Sequence, residues 1–117
     1  MKVKDLLLLL NAHIMCGEER MEQSLEYAFA SDLMSDVLTL GENAGKKLLL
    51  ITGLSNIQAI RTAEMSEIKF VLFVRGKKTS PEMIALAEEN QMVLMESPYS
   101  MYRAAGLLWK AGLPPIY

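Results

Sequence analysis

Short apolar segments alternate with amphipathic segments along most of the chain, and turn-forming residues separate them. The segment 47–53, KLLLITG, is continuously apolar, which is typical of a strand covered on both faces. The segment 69–74, KFVLFV, is rich in aromatic and β-branched residues, which favour strands. The pattern therefore predicts strands or extended segments at 12–15, 27–30, 47–53, 69–74 and 92–96.

Apolar residues at helical spacing occupy the segments between these strands. Ser31 is a good N-cap, and Leu33, Val37 and Leu40 follow it at helical spacing up to Gly41. Helices are also predicted at 3–11, after Ser55 or Asn56, after Thr79 or Ser80, and from Ser100 to Gly112 before Pro114 and Pro115.

Strands that alternate with helices of about ten residues imply right-handed crossovers and parallel strands. We therefore predict an α/β fold: one small domain over residues 1–117, with a mostly parallel sheet of about four to five strands and helices on both faces. Ligands of such sheets bind beyond the carboxyl ends of the strands. The candidate loops are 30–32, 52–56, 75–80 and 97–100.

Charge and composition limit the kinds of molecule that we expect the chain to bind. The chain has 12 basic and 14 acidic residues and a net charge of -2, so we expect no nucleic-acid partner. Cys16 is the one cysteine and cannot form an internal disulfide, which favours a cytoplasmic protein. The leucine run at 6–10 is too short to cross a bilayer, so we expect no membrane association.

The loop at 75–80, RGKKTS, combines a glycine with basic residues and suggests a phosphate loop. A Walker motif needs a glycine five positions before the Gly76–Lys77 pair, but Val71 stands there, and Lys78 occupies the Ser or Thr position. The loop is therefore not a Walker motif. Two interpretations remain, an anion site centred on Arg75 and a basic loop that is only solvated.

No group of residues predicts catalysis. Asp32 and Asp36 are expected one helical turn apart on one face, where they could hold a cation or simply favour the helix start. His13 and Cys16 form an H-x-x-C pair, but four ligands are usual for structural zinc. His13 is the one histidine, so no Ser-His-acid triad can be argued. We predict a non-enzyme without catalytic residues, metal or cofactor.

The segments SDLMSDVL, LLITGLSN and 68–106 resemble the DRTGG domain family. The chain is also similar to the N-terminal, non-catalytic domain of bacterial HPr kinase/phosphorylase, in which a strand, an R-G turn, a P-E helix and a second strand recur. The resemblance covers essentially the whole chain. It implies a regulatory or accessory domain with a parallel α/β fold, often joined to CBS domains or phosphotransacetylase-like enzymes, or standing alone near hydrogenase genes of anaerobic bacteria.

One departure from the family concerns its glycine pair. The Asp-Arg-Thr-Gly-Gly letters do not occur, and Tyr27 and Ala28 stand where the pair would align. Glycine allows a close approach of the backbone that other residues prevent. Any ligand contact that depends on these glycines in the family is therefore not expected here.

The leading hypothesis is a stand-alone regulatory domain, expected to be a homodimer, that senses a small anionic metabolite or nucleotide at the loop edge. Arg75 would bind the anion, and the other residues would add hydrogen bonds or orient the ligand. The tyrosine of this set could equally be a packing residue. The predicted ligand-binding residues are Asp32, Ser55, Asn56, Arg75, Gly76 and Tyr99.

The alternative hypothesis is a protein-interaction module that binds no small ligand. It would present an apolar surface at Leu107, Leu108 and Trp109 to an enzyme complex of anaerobic, hydrogenase-related metabolism. Tryptophan and leucine near a terminus are good interface anchors.

Overall fold

One five-stranded sheet forms the centre of the computed structural model, which describes residues 1–40 and 47–117. The strands are β1 His13–Cys16, β2 Tyr27–Ala30, β3 Leu48–Thr52, β4 Phe70–Phe73 and β5 Val93–Glu96. They lie in the order β1-β5-β4-β3-β2. Strands β2 to β5 are parallel, and β1 pairs with β5 in the antiparallel direction. The predicted mostly parallel sheet is confirmed.

Helices cover both faces of the sheet, as the pattern predicts. The α-helices are α1 Val3–Leu9, α2 Met34–Leu38, α3 Ile57–Met65, α4 Pro81–Glu89 and α5 Met101–Lys110, and a 3-10 helix spans Glu18–Arg20. Helices α2, α3 and α4 pack on one face, and α1 and α5 pack on the other. Alternate side chains of β3 serve the two cores: Leu50 faces the first and Ile51 the second. Both faces of the central strands are thus buried.

The cap residues resolve two choices that the sequence left open. Asn56, not Ser55, caps α3, because its Oδ1 accepts a hydrogen bond from the Ala59 N–H at 3.0 Å. Ser80, not Thr79, caps α4, with Pro81 at the first helical position. The predicted N-cap of α5, Ser100, is confirmed by a 3.1 Å hydrogen bond from the Arg103 N–H.

The predicted start of α2 is wrong. Ser31 does not cap the helix, because its Oγ accepts from the Leu33 N–H at 3.0 Å in a local turn. The helix begins at Met34 instead, with Leu33 as N-cap residue. Asp32 therefore lies in the turn before the helix. The predicted helix end at Gly41 lies outside the described residues.

The C-terminal segment covers the outer edge of β2. The Ala28 N–H donates to the Pro114 carbonyl at 3.0 Å, and the Ile116 N–H donates to the Ala28 carbonyl at 3.2 Å. Residues after α5 thus pair with the edge strand in the parallel direction. Prolines along such an edge oppose further strand addition, because they have no N–H to donate.

Two features of the fold bear on earlier expectations. Among the helices in the described part of the chain, none has the length and apolarity to span a membrane. The leucines at 6–10 belong to α1 and its end, and Leu6 and Leu10 are fully buried in the core.

We expect Cys16 to resist thiol reagents in the folded protein. Its side chain is buried, and burial raises the pKa of the thiol because the charged thiolate loses its hydration. At pH 8 the native thiol should react with a disulfide reagent at least about 100-fold more slowly than in denaturant. Equal rates in the two states would contradict the buried position of Cys16.

Candidate functional site

The carboxyl ends of the four parallel strands bring their loops to one edge of the sheet. The loops that follow β2, β3, β4 and β5 contain Asp32, Gly53, Arg75 and Ser97 respectively. This is the edge at which ligands of parallel α/β sheets bind. Residues that are far apart in sequence become neighbours there.

Arg75 lies against the loop after β3. Its Nη2 donates to the Gly53 carbonyl at 3.5 Å and lies 3.6 Å from Asp32 Oδ2. A Cβ atom added at Gly53 would lie 2.8 Å from the Arg75 Cζ, which is closer than van der Waals contact allows. The glycine therefore makes room for the guanidinium.

Asp32 is held by the end of β3. Its Oδ1 accepts a hydrogen bond of 2.6 Å from the Gly53 N–H and one of 3.2 Å from the Thr52 hydroxyl. Asp32 and Asp36 do not share the first turn of α2, so that prediction is wrong. The turn at Ser31 directs Asp32 toward β3 instead. No group of three or more His, Cys, Asp or Glu that could hold a metal occurs in residues 1–40 and 47–117.

The loop that carries Arg75 is fixed at several points. Arg75 and Gly76 both have positive φ angles, +63° and +69°. Their N–H groups donate to the Tyr99 carbonyl at 2.7 Å and the Ser97 carbonyl at 3.0 Å. The Ser55 hydroxyl donates to the Lys78 carbonyl. Because these hydrogen bonds fix the backbone of the loop, its cationic side chains project from fixed backbone positions.

Glu96, the last residue of β5, anchors the far end of this loop. Its Oε2 accepts hydrogen bonds from the Thr79 N–H at 2.7 Å and the Thr79 hydroxyl at 2.8 Å. Glu96 is not among the site residues predicted from the sequence. The sequence does contain a signal for it, namely a carboxylate at the end of an apolar strand and directly before a polar turn. A carboxylate buried at such a place requires polar partners.

The residues predicted to bind a ligand make different kinds of contact in the structure. Tyr99 is half-buried, and the Arg103 guanidinium lies over its ring at 3.8 Å. Asn56 uses its side-chain oxygen as a helix cap. The structure brings Asp32, Ser55, Arg75, Gly76 and Tyr99 to one edge, by direct contact or through the backbone of the Arg75 loop.

The electrostatics of the edge are mixed. Arg75 and Asp32 are each about half exposed, at 50% and 48%, so solvent weakens their ion pair. Both contacts of the guanidinium use Nη2, and a guanidinium carries five N–H donors. Lys77 and Lys78 are exposed in the same loop. The arrangement can therefore offer an anion several donors in addition to the pair with Asp32.

A small cavity of about 120 Å³ adjoins the loop on the side of β1. It lies between the edge strand β1, the end of β5 and the Arg75 loop. Its lining residues are Asn11, His13, Gly76, Lys78, Glu96, Ser97 and Pro98.

The apolar surface predicted at the last helix is only partly present. Leu108 is buried in the core against α1 and the sheet, so the prediction that it is exposed is wrong. Leu107 is half-buried. Trp109 is 67% exposed and lies beside two apolar grooves of about 210 and 170 Å³, both lined by Leu113 and Pro115.

The chain matches no protein-family model and no curated protein sequence. It is similar to a solved structure, that of the CBS and DRTGG domains of the regulatory region of Clostridium perfringens pyrophosphatase, in complex with the activator diadenosine tetraphosphate. The TM-score is 0.73 at 19% sequence identity. The match covers 97% of this chain and 47% of that chain, so this chain corresponds to about half of the regulatory region. The chain therefore has a fold found in a CBS and DRTGG regulatory region, as its resemblance to the DRTGG family implies.

Proposed function

We propose that this chain is a regulatory domain that binds a small anionic metabolite or a nucleotide at the carboxyl edge of its sheet. The observation that carries the proposal is the position of Arg75. Its guanidinium lies over Gly53 and contacts Gly53 and Asp32 through Nη2, which leaves its other N–H donors without a hydrogen bond among the described residues. An arginine placed on a fixed loop loses little side-chain freedom on binding, which favours affinity.

The other predicted residues have assigned roles in this proposal. Asp32 orients Arg75 through the Gly53 backbone, and Ser55 holds the loop through Lys78. Gly76 provides the left-handed turn, since its N–H is already bonded to Ser97. Tyr99 supports the loop through its carbonyl. Asn56 caps α3 and contributes through the position of that helix start.

The similarity to a regulatory region supports a regulatory role over a catalytic one. The region from Clostridium perfringens is described in complex with a nucleotide activator, and this chain corresponds to about half of it. For this reason we include nucleotides among the proposed ligands of this chain. We also propose that the protein is cytoplasmic, homodimeric and non-enzymatic, and that residues 1–117 form one domain. The likeness to the HPr kinase/phosphorylase domain is part of the same proposal.

Thermal unfolding with a panel of nucleotides, phosphorylated metabolites and inorganic phosphate tests this function. A ligand present at a hundred times its Kd stabilises the folded state by about 2.7 kcal/mol, a shift of several degrees for a domain of this size. Arg75→Ala should weaken binding by about 10- to 100-fold, because it removes charge-assisted hydrogen bonds. Gly53→Ala should weaken it by about tenfold, because the new Cβ displaces the guanidinium.

Arg61→Ala is the matched control, since Arg61 is an exposed arginine on α3. This variant should keep the full ligand-induced shift. If Arg61→Ala and Arg75→Ala lose the shift equally, binding is nonspecific and the proposed site is wrong. If no ligand of the panel shifts the wild-type protein, the ligand-binding function itself is contradicted.

A second candidate function is docking to an enzyme partner, and the exposure of Trp109 favours it. An indole that is 67% exposed beside two apolar grooves is a typical interface anchor. This role would use the face of α5 and the C-terminal segment, not the Arg75 loop. A wild-type protein that binds no ligand of the panel would favour this candidate.

A further inference from the structure

The small cavity beside β1 and β5 is adjacent to the anion site and shares part of its loop. Gly76 and Lys78, from the loop that carries Arg75, form part of its lining. Its volume of about 120 Å³ is slightly below the roughly 150 Å³ of an engineered protein cavity that binds benzene. The cavity is therefore about the size of one six-membered ring and is too small for a whole nucleotide.

Glu96 is the nearly buried acidic residue in the lining of this cavity. Its side chain is 7% exposed, and both hydrogen bonds from Thr79 are accepted by Oε2. The other oxygen, Oε1, forms an ion pair with the Lys78 Nζ at 3.6 Å, a separation beyond hydrogen-bond distance, and that lysine side chain is 80% exposed. A nearly buried carboxylate therefore has one oxygen without a hydrogen-bond partner among the described residues.

This oxygen is accessible and is not sealed in the core. Within residues 1–40 and 47–117, no fully buried side-chain oxygen or nitrogen lacks a hydrogen-bond partner. Oε1 of Glu96 has no such partner, so it must be accessible, and Glu96 lines this cavity. A charged acceptor at the wall of a small cavity favours a ligand that brings a hydrogen-bond donor.

The remaining lining suits a flat, polar ring. His13 and Pro98 are two ring-bearing residues of the lining, and imidazole rings stack on nucleobases in other proteins. Asn11 contributes an amide. An ionised carboxylate accepts hydrogen bonds but cannot donate them. A ring that presents an amino group to Glu96 is therefore favoured, whereas a carbonyl at the same position would face the carboxylate as a second acceptor.

We propose that this cavity binds a nucleotide base that carries an amino group at the position where hypoxanthine and uracil carry a carbonyl, namely adenine or cytosine, while the phosphate contacts the Arg75 loop. The amino group donates to Glu96 Oε1. The inference rests on the proposed function, because it assigns the base of the ligand whose anionic part Arg75 binds.

Calorimetric titration with two pairs of nucleotides tests the proposal. AMP and IMP differ at the base in an amino group against a carbonyl oxygen, and so do CMP and UMP. We expect the wild-type protein to bind the amino member of each pair at least about tenfold more tightly. In Glu96→Gln, the amide oxygen can still accept from Thr79 while its NH₂ group faces the cavity, so the preference should disappear or reverse.

Equal affinity of the wild-type protein for AMP and IMP would overturn the base site, and this result needs no variant. Ribose 5-phosphate that binds as tightly as AMP would also overturn it, while leaving the anion site at Arg75 intact. Adenosine preferred over inosine, with no binding of ribose 5-phosphate, would support the cavity and contradict the anion site. No binding of any of these probes at millimolar concentration would contradict both.

Discussion

Replacement of Gly17 by alanine is expected to lower the free energy of unfolding by about 2–5 kcal/mol. Gly17 has φ +90°, a region that residues with a Cβ adopt at a cost of about 1–2 kcal/mol. Its Cβ would also lie 2.9 Å from both the Met92 carbonyl oxygen and the Val93 Cα. These are backbone atoms of the β5 region and cannot rotate away, so overpacking adds about 1–3 kcal/mol.

Two other glycines separate these contributions. Gly112 has φ +99° but no heavy atom within 4 Å of its ideal Cβ, so Gly112→Ala should show the backbone strain alone, about 1–2 kcal/mol. Gly106 lies inside α5 with equally open surroundings, and Gly106→Ala should stabilise by about 0.5–1 kcal/mol. Denaturant unfolding measures all three variants. A Gly17→Ala variant as stable as Gly112→Ala would contradict the close packing of this turn against β5.

Truncation of Glu96 is expected to have the second-largest effect. Glu96→Ala removes the acceptor of two hydrogen bonds from Thr79, each worth about 1.5–3 kcal/mol for a charged acceptor. Thr79 is half-buried, so water regains part of this energy, and we expect a net loss of about 2–4 kcal/mol. Because Thr79 ends the Arg75 loop, its amide hydrogen should also exchange faster with solvent.

Glu96→Gln is the matched control for this prediction. The glutamine oxygen can accept the same two hydrogen bonds, so the stability loss should stay near 1 kcal/mol. Denaturant unfolding and amide hydrogen exchange of both variants test the effect. Unchanged exchange at Thr79 in Glu96→Ala would show that the Ser55 and Tyr99 contacts hold the loop without Glu96.

These predictions concern contacts that join distant parts of the chain, and such contacts were the least accessible to sequence reasoning. The pairing of Asp32 with Gly53 depends on the turn that Ser31 makes before α2, where the pattern predicted a helix cap. The spacing of Asp32 and Asp36 is compatible with one helical face, but the local turn overrides it. Leu108 illustrates the same point, since helical spacing alone does not say which apolar residues of a short helix are buried.

The sequence by itself determined the succession of strands and helices and the mostly parallel sheet, because hydrophobic periodicity and caps are local properties. It also identified the edge where Arg75, Ser55 and Tyr99 meet, since the carboxyl ends of parallel strands share one edge. Only the tertiary structure decided the antiparallel pairing of β1 with β5, and with it the cavity beside Glu96. Strand order is a matter of packing between segments distant in sequence, and no local pattern encodes it.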